Sequence, residues 1–174
     1  KEVPHLNILR AVGEPQFLRT RPFGLISAAA QQATLLAIVG INHREYWTDL
    51  STRAWSNYLI AGTKANIWRA HGKIFAEAVT RLERGHDLRL TGSFSAGMGA
   101  AMRTGVLGAI YHLDLDSLRR ATLESSLVTH ADIRAVAIAY ATSWTVYALL
   151  NDYPLEFIRR RLPAEVEHIE LQCL

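Results

Sequence analysis

Residues 92–108, GSFSAGMGAAMRTGVLG, constrain this chain more than any other stretch. Gly92, Gly97 and Gly99, with Ser93, Ser95 and Arg103, stand where a loop gives way to an apolar helix, so backbone N–H groups can converge there on one anion. Glycine has a second use in such a place, because the missing Cβ also lets two helices approach closely. On this stretch alone both readings stay open.

The surrounding sequence favours helices. Residues 23–41 are rich in Ala, Leu and Gln, with low polarity on every face, which predicts a central helix. Thr48 or Asp49 caps a second helix running to about residue 61, with Trp55, Tyr58 and Leu59 as its buried stripe and Gly62 as its C-cap. Residues 64–83 repeat apolar side chains near the helical period, with Lys73, Glu77 and Arg81 on another face, and predict an amphipathic helix stopped by Gly85. His71 on that helix reads as a structural histidine.

Residues 86–91 alternate charged and apolar side chains and predict a short extended segment leading into the glycine loop. The next helix, residues 100–112, buries Met102, Val106, Leu107 and Ile110. Asp114 or Asp116 caps another that reaches about residue 128, and Asp132 starts one whose Ile133, Val136, Ala137, Tyr140, Trp144, Tyr147 and Ala148 form a wide apolar face. Pro154 and Pro163 each suit the first turn of a short C-terminal helix. Residues 1–22, broken by Pro4, Gly13, Pro15 and Pro22, read as an irregular lead-in with a short helix near residues 6–12. Strand patterns are nearly absent, so the expected fold class is all-α, a single compact domain of seven or eight helices over residues 1–174.

Composition narrows the function classes. With 49% hydrophobic and 20% charged residues, a chain of 174 residues can bury a core and does not read as disordered. Lys and Arg exceed Asp and Glu by only 19 to 16 and are scattered, which gives no stripe for nucleic acid. The one basic cluster, Arg159-Arg160-Arg161, reads as a solvated helix end. A single cysteine, Cys173, excludes an internal disulfide framework and a cysteine-based zinc site, and is compatible with a reducing, cytoplasmic compartment. Residues 23–42 come closest to a membrane span, but Gln31 and Gln32 interrupt them, so no membrane segment is expected. Lys1 opens the chain without a signal-peptide pattern, which reads as a processed or trimmed start.

The order of the polar motifs carries more. Trp47-Thr48-Asp49-Leu50-Ser51 is followed by Ser95-Ala96-Gly97-Met98-Gly99-Ala100-Ala101-Met102-Arg103, an apolar helix ending in Tyr111-His112, then Glu124-Ser125-Ser126, Thr129-His130 and an Ala-rich helix. Over residues 45–150 this order resembles the central part of the ADP-ribosylglycohydrolase family. The resemblance implies hydrolysis of the glycosidic bond joining ADP-ribose to a modified side chain. It also implies a ligand-binding set of Ser93, Ser95, Gly97, Met98, Gly99, Met102, Arg103 and His130. In that set the glycine-loop amides and the Ser95 hydroxyl would meet the phosphates. Arg103 would either anchor the loop through a carboxylate or touch the ligand, and His130 would either donate to a phosphate or ribose hydroxyl or serve only at a helix start. Glu124 and Ser125 would brace the corner.

Thr48 and Asp49 resemble the start of the family's Thr-Asp-Asp element, whose oxygens hold a pair of divalent cations, Mg²⁺ or Mn²⁺. Departures from the family pattern are specific. Met98 stands where Asn is common and Leu50 where the second Asp would be. The acidic Gly-Asp element upstream and the Asp-Thr-Asp-Thr element downstream are both missing from residues 1–174, so the family fold reads as truncated. The expectation is that Thr48 and Asp49 serve as helix caps, that this chain alone does not bind the metals, and that it does not hydrolyse by itself. Two readings follow: a hydrolase completed by another chain, or a non-catalytic pseudoenzyme or helical interaction module. The partners expected are ADP-ribose or an ADP-ribosylated protein, and a partner chain or second copy covering an exposed apolar face.

Overall fold

The computed structural model describes residues 26–69 and 71–172. They form α1 (Ala28–Asn42), α2 (Asp49–Lys64), α3 (Lys73–Glu83), a 3-10 turn (Leu88–Leu90), α4 (Ala101–Ile110), α5 (Leu115–Leu127), α6 (Ile133–Leu150) and α7 (Leu155–Gln172). The all-α fold class holds: the strand-like pairing among the described residues is one isolated parallel bridge between Ser93 and His130. The lead-in at residues 1–22, with its short helix, lies outside the described residues.

Side chains fix where the helices start. Ser27 Oγ accepts from Ala30 N, Asp114 accepts from the amides of Asp116 and Ser117, and Asp132 accepts from Arg134 N. Thr48 and Ser51 cap α2 reciprocally. Three helices stop on one device, a residue with positive φ whose neighbours reach back to the last carbonyls. Asn66 (φ 52°), Gly85 (φ 77°) and Asp152 (φ 58°) hold this position after α2, α3 and α6.

The Asn66 stop corrects two expectations. Residues 64–83 are not one helix; α2 runs past Gly62 to Lys64, the chain turns, and α3 begins at Lys73. Gly62 is therefore no cap but a contact, since a Cβ there would lie 2.4 Å from the Trp68 ring that folds back over it. Trp68 Nε1 donates to Thr63 Oγ1 and holds the reversal. Within residues 86–91, Leu88–Leu90 form the 3-10 turn in place of an extended segment, because the Asp87 carboxylate takes Arg89 N. Pro163 lies inside a single α7, and Arg159-Arg160-Arg161 lie within it, not at its end.

The most heavily packed helices are α4 and α6, not α1. A Cβ on Gly108 would lie 2.1 Å from Ser143 O of α6, and one on Gly40 of α1 would lie 2.7 Å from Ile110, so glycines set both helix approaches. Thr104 adds a hydrogen bond to Ala139 O at 2.9 Å. Of the side chains expected to bury along α4, Leu107 does so, Val106 and Ile110 are half-buried, and Met102 is exposed. Tyr58 likewise leaves the α2 stripe, where Trp55 and Leu59 are fully buried. The core divides into one cluster around Trp47, Trp55, Leu59, Leu107 and Leu118 and another around Val136, Tyr140, Trp144 and Ile169. By length and composition α6 could cross a membrane, yet one side of it packs on α4, α5 and α7.

Candidate ligand-binding site

A cavity of about 390 Å³ opens where the glycine loop meets the start of α1 and the turn before α3. Gly97, Gly99, Met102, Arg103 and His130 line it from one side, and Ser27, Gln32, Arg69, His71 and Phe75 from the other. Volume and lining suit a small ligand with polar groups. At the entry to α4, Met102 N and Arg103 N bond back to Met98 O and Ala100 O, while the amides of Gly99, Ala100 and Ala101 have no backbone acceptor among the described residues. Those amides form the open, positive end of the α4 dipole.

The loop is pinned against α5. Ser93 N donates to Thr129 O and Ala131 N to Ser93 O, and a Cβ on Gly92 would lie 2.5 Å from Leu127 O. Only glycine permits that approach. The Ser93 hydroxyl turns to α3, donating to Glu77 at 3.1 Å and accepting from Arg81, so it is taken up away from the cavity. Ser95 Oγ accepts from Gly97 N at 3.3 Å and shapes the loop. Met98 and Met102 are both exposed, Met102 at the cavity edge.

Arg103 holds the corner together from inside. It is 1% exposed, and its four terminal N–H groups go to Gln32 Oε1, Gly99 O, Ser125 O and Thr129 Oγ1. Its guanidinium also lies over the Trp55 ring at 5.4 Å. No carboxylate pairs with it among the described residues; the anchor is carbonyls and hydroxyl, helped by the negative end of the α5 dipole. Burial lowers its pKa to about 9, which leaves it a cation at neutral pH.

From Arg103 a relay reaches His130. Arg103 Nη2 donates to Thr129 Oγ1 at 2.5 Å, and the Thr129 proton has two acceptors in reach, His130 Nδ1 at 2.8 Å and Ser126 O at 3.4 Å. Distance, and the guanidinium charge polarising the hydroxyl, send the proton to Nδ1. This network assigns His130 the tautomer with its proton on Nε2, the nitrogen beside Gly97 and Gly99. Burial, then the Arg103 charge, push the His130 pKa down to about 4. The imidazole is thus a neutral donor at the cavity wall. A Cβ on Gly99 would lie 2.8 Å from its Cε1, which ties that glycine to this ring.

Glu124, 6% exposed, takes a two-pronged ion pair from Arg89 at 2.5 and 3.2 Å and braces the outer side of α5. Sequence reasoning missed Gln32, Arg69 and His71 as cavity residues. The signal was present in Gln31-Gln32, two buried amides in an otherwise apolar helix: Gln31 bonds Ile67 O and Arg69 N, and Gln32 bonds Arg103.

Thr48 and Asp49 are not brought to this cavity. Thr48 borders a separate surface hollow formed by residues 41–46. Asp49 is exposed and pairs with Arg120 at 3.2 Å, and Arg120 in turn bonds and covers Tyr46.

The ADP-ribosylglycohydrolase family pattern matches residues 3–171, nearly the whole chain. The chain belongs to the ADP-ribosylglycohydrolase family. It is also 34% identical over 100 residues to an uncharacterized protein of Archaeoglobus fulgidus, a match covering 55% of this chain and 33% of that relative. The chain therefore aligns with about a third of the relative's length. Members of the family act on ADP-ribosylated substrates and generally use divalent metals.

The residues at the α2 start do not fit such a metal pair. Thr48 Oγ1 is engaged in the capping box with Ser51, Asp49 is held by a guanidinium, and Leu50 has no oxygen to offer. Among the described residues no group of three or more His, Cys, Asp and Glu side chains converges.

Proposed function

We propose that this ADP-ribosylglycohydrolase-family chain binds ADP-ribose, free or attached to a protein, in the glycine-loop cavity, and does not hydrolyse it unaided. The observation that carries this reading is the Arg103–Thr129–His130 relay, which presents a neutral N–H donor beside the open amides of the α4 start. A diphosphate would be met by amides and an imidazole N–H, with its negative charge favoured by the α4 dipole and by buried Arg103. Because His130 stays neutral well below pH 7, it acts as a donor that orients the ligand and not as a titrating acid or base. The donor set at Thr48 and Asp49 favours binding without hydrolysis by this chain alone.

Titration calorimetry of the purified chain with ADP-ribose, with and without Mg²⁺, tests this. Binding that needs no metal, and that weakens at least about tenfold in His130→Ala, a loss of some 1.4 kcal/mol, is the expected result. Absence of binding, or binding unchanged in His130→Ala, would remove the ADP-ribose reading. Metal-dependent binding with release of ribose products would remove the non-hydrolytic part.

A further inference from the structure

Gln32 of α1 is 6% exposed and lines the cavity. Arg103 Nη1 donates to its Oε1 at 3.0 Å, and its Nε2 has no acceptor among the described residues. A guanidinium can only donate, so the atom it meets is the carbonyl oxygen and the amide cannot turn over. The NH2 end is left facing the cavity. Buried polar groups are paired as a rule, so two unspent N–H donors on a side chain more than nine-tenths buried call for an acceptor from outside the chain. The neighbouring Gln31 gives the contrast, because it spends both ends inside the protein, Nε2 on Ile67 O and Oε1 on Arg69 N.

The same guanidinium acts on the other wall. Its Nη2 donates to Thr129, whose hydroxyl turns His130 into an Nε2–H donor. One buried cation thus sets the polarity of an amide and an imidazole, each of which could otherwise present an acceptor. None of the residues lining the cavity is Asp or Glu, and a second buried guanidinium, that of Arg69, lines it too. We propose that Gln32 is a ligand-contacting residue whose NH2 group, aimed by Arg103, joins His130 in making the cavity select groups that offer oxygen lone pairs alone, phosphoryl oxygens above all. A group bringing its own N–H would oppose donor to donor. The inference rests on the cavity being the ADP-ribose site and gives the ligand a direction: the diphosphate lies between Gln32 and His130, and adenine, whose amino group is a donor, lies away from them.

Proton–nitrogen correlation NMR of the whole labelled chain tests this, with inorganic pyrophosphate, ADP-ribose and adenosine as probes. The Gln32 side-chain NH2 pair, identified by its loss in Gln32→Glu, should shift to saturation with pyrophosphate and with ADP-ribose and stay in place with adenosine. The Gln31 pair should stay in place with all three. Gln32→Glu still gives Arg103 an oxygen, so it should keep the parent's thermal midpoint yet bind pyrophosphate at least about tenfold more weakly. Gln32→Met, which adds no charge, should weaken binding by a similar factor. Binding kept in Gln32→Glu and lost only in Gln32→Met would reduce Gln32 to a support for Arg103 and overturn the proposal. So would an unmoved Gln32 pair, or one that adenosine moves as far as pyrophosphate does. A pair that pyrophosphate moves and ADP-ribose does not would uphold the donor and remove the ADP-ribose reading, whereas ADP-ribose binding that depends on His130 and not on Gln32 would do the reverse.

Discussion

At the scale of the residue, the corner is decided by which groups are charged. Arg103 is a buried cation held by neutral oxygens, and burial, then the Arg103 charge, keeps His130 neutral. Stability carries the signature. In the fold His130 resists a proton down to about pH 4, whereas the unfolded chain accepts one below 6.5, so the unfolded state binds more protons between these values. This contribution is complete above pH 6.5 and is lost as the pH falls toward 4. The thermal midpoint should therefore decline from pH 6.5 to 5, before the carboxylates titrate, and His130→Gln should flatten that decline. A parent midpoint level over that interval would show that His130 is not buried in this environment.

At the scale of the element, α7 shows how one polar knot positions a whole helix. Glu165, 4% exposed, accepts from Arg119 of α5 at 2.8 Å, from Tyr140 of α6 at 3.2 Å and from Arg161 on its own helix at 3.0 Å. Burial opposes the charge on Glu165, but the Arg119 hydrogen bond and its neighbours outweigh it and hold the pKa below the ordinary carboxylate range. For such a depressed carboxylate the stabilisation is present above the unfolded pKa near 4.5 and lost as the pH falls through the folded one. Glu165→Gln should cost about 2–4 kcal/mol in urea unfolding at pH 7, since Arg119 keeps a half-buried charge with only the exposed Asp116 left to pair it. A loss under about 0.5 kcal/mol would mean that apolar packing of Ile158 and Ile169 alone seats α7.

At the scale of the whole molecule, the two halves of the motif order are separated. Thr48 borders a surface hollow and Asp49 pairs with Arg120, whereas Gly97, Gly99, Arg103 and His130 line the cavity. Electron paramagnetic titration with Mn²⁺ should therefore find no saturable submillimolar site in this chain. A site that forms and disappears in Asp49→Asn would show that the Arg120 pair gives way to metal. Charge is distributed as unevenly as the motifs: α1 carries none, α4 only the buried Arg103, and α6 only Arg134, which pairs with Asp132 at its start.

The sequence by itself determined the all-α class, the cap at Asp132, the stop at Gly85 and the glycine loop before α4, and it narrowed two further caps to Thr48 or Asp49 and to Asp114 or Asp116. Each is set by local chemistry: a short oxygen side chain before a helix, a glycine after one, or a glycine run that no helix interior tolerates. Tertiary structure alone decided the rest. The helical period over residues 64–83 was real but lost to the Trp68 contact with Gly62, which local periodicity cannot register. The apolar composition of α1 read as central, yet α4 lies between α1 and α6 because Gly40 of α1 and its own Gly108 allow the two close approaches. Ser93 and His130 share a motif order, but Glu77, 16 residues away, takes the Ser93 hydroxyl, while Thr129, itself held by distant Arg103, turns the neighbouring His130 ring to the cavity.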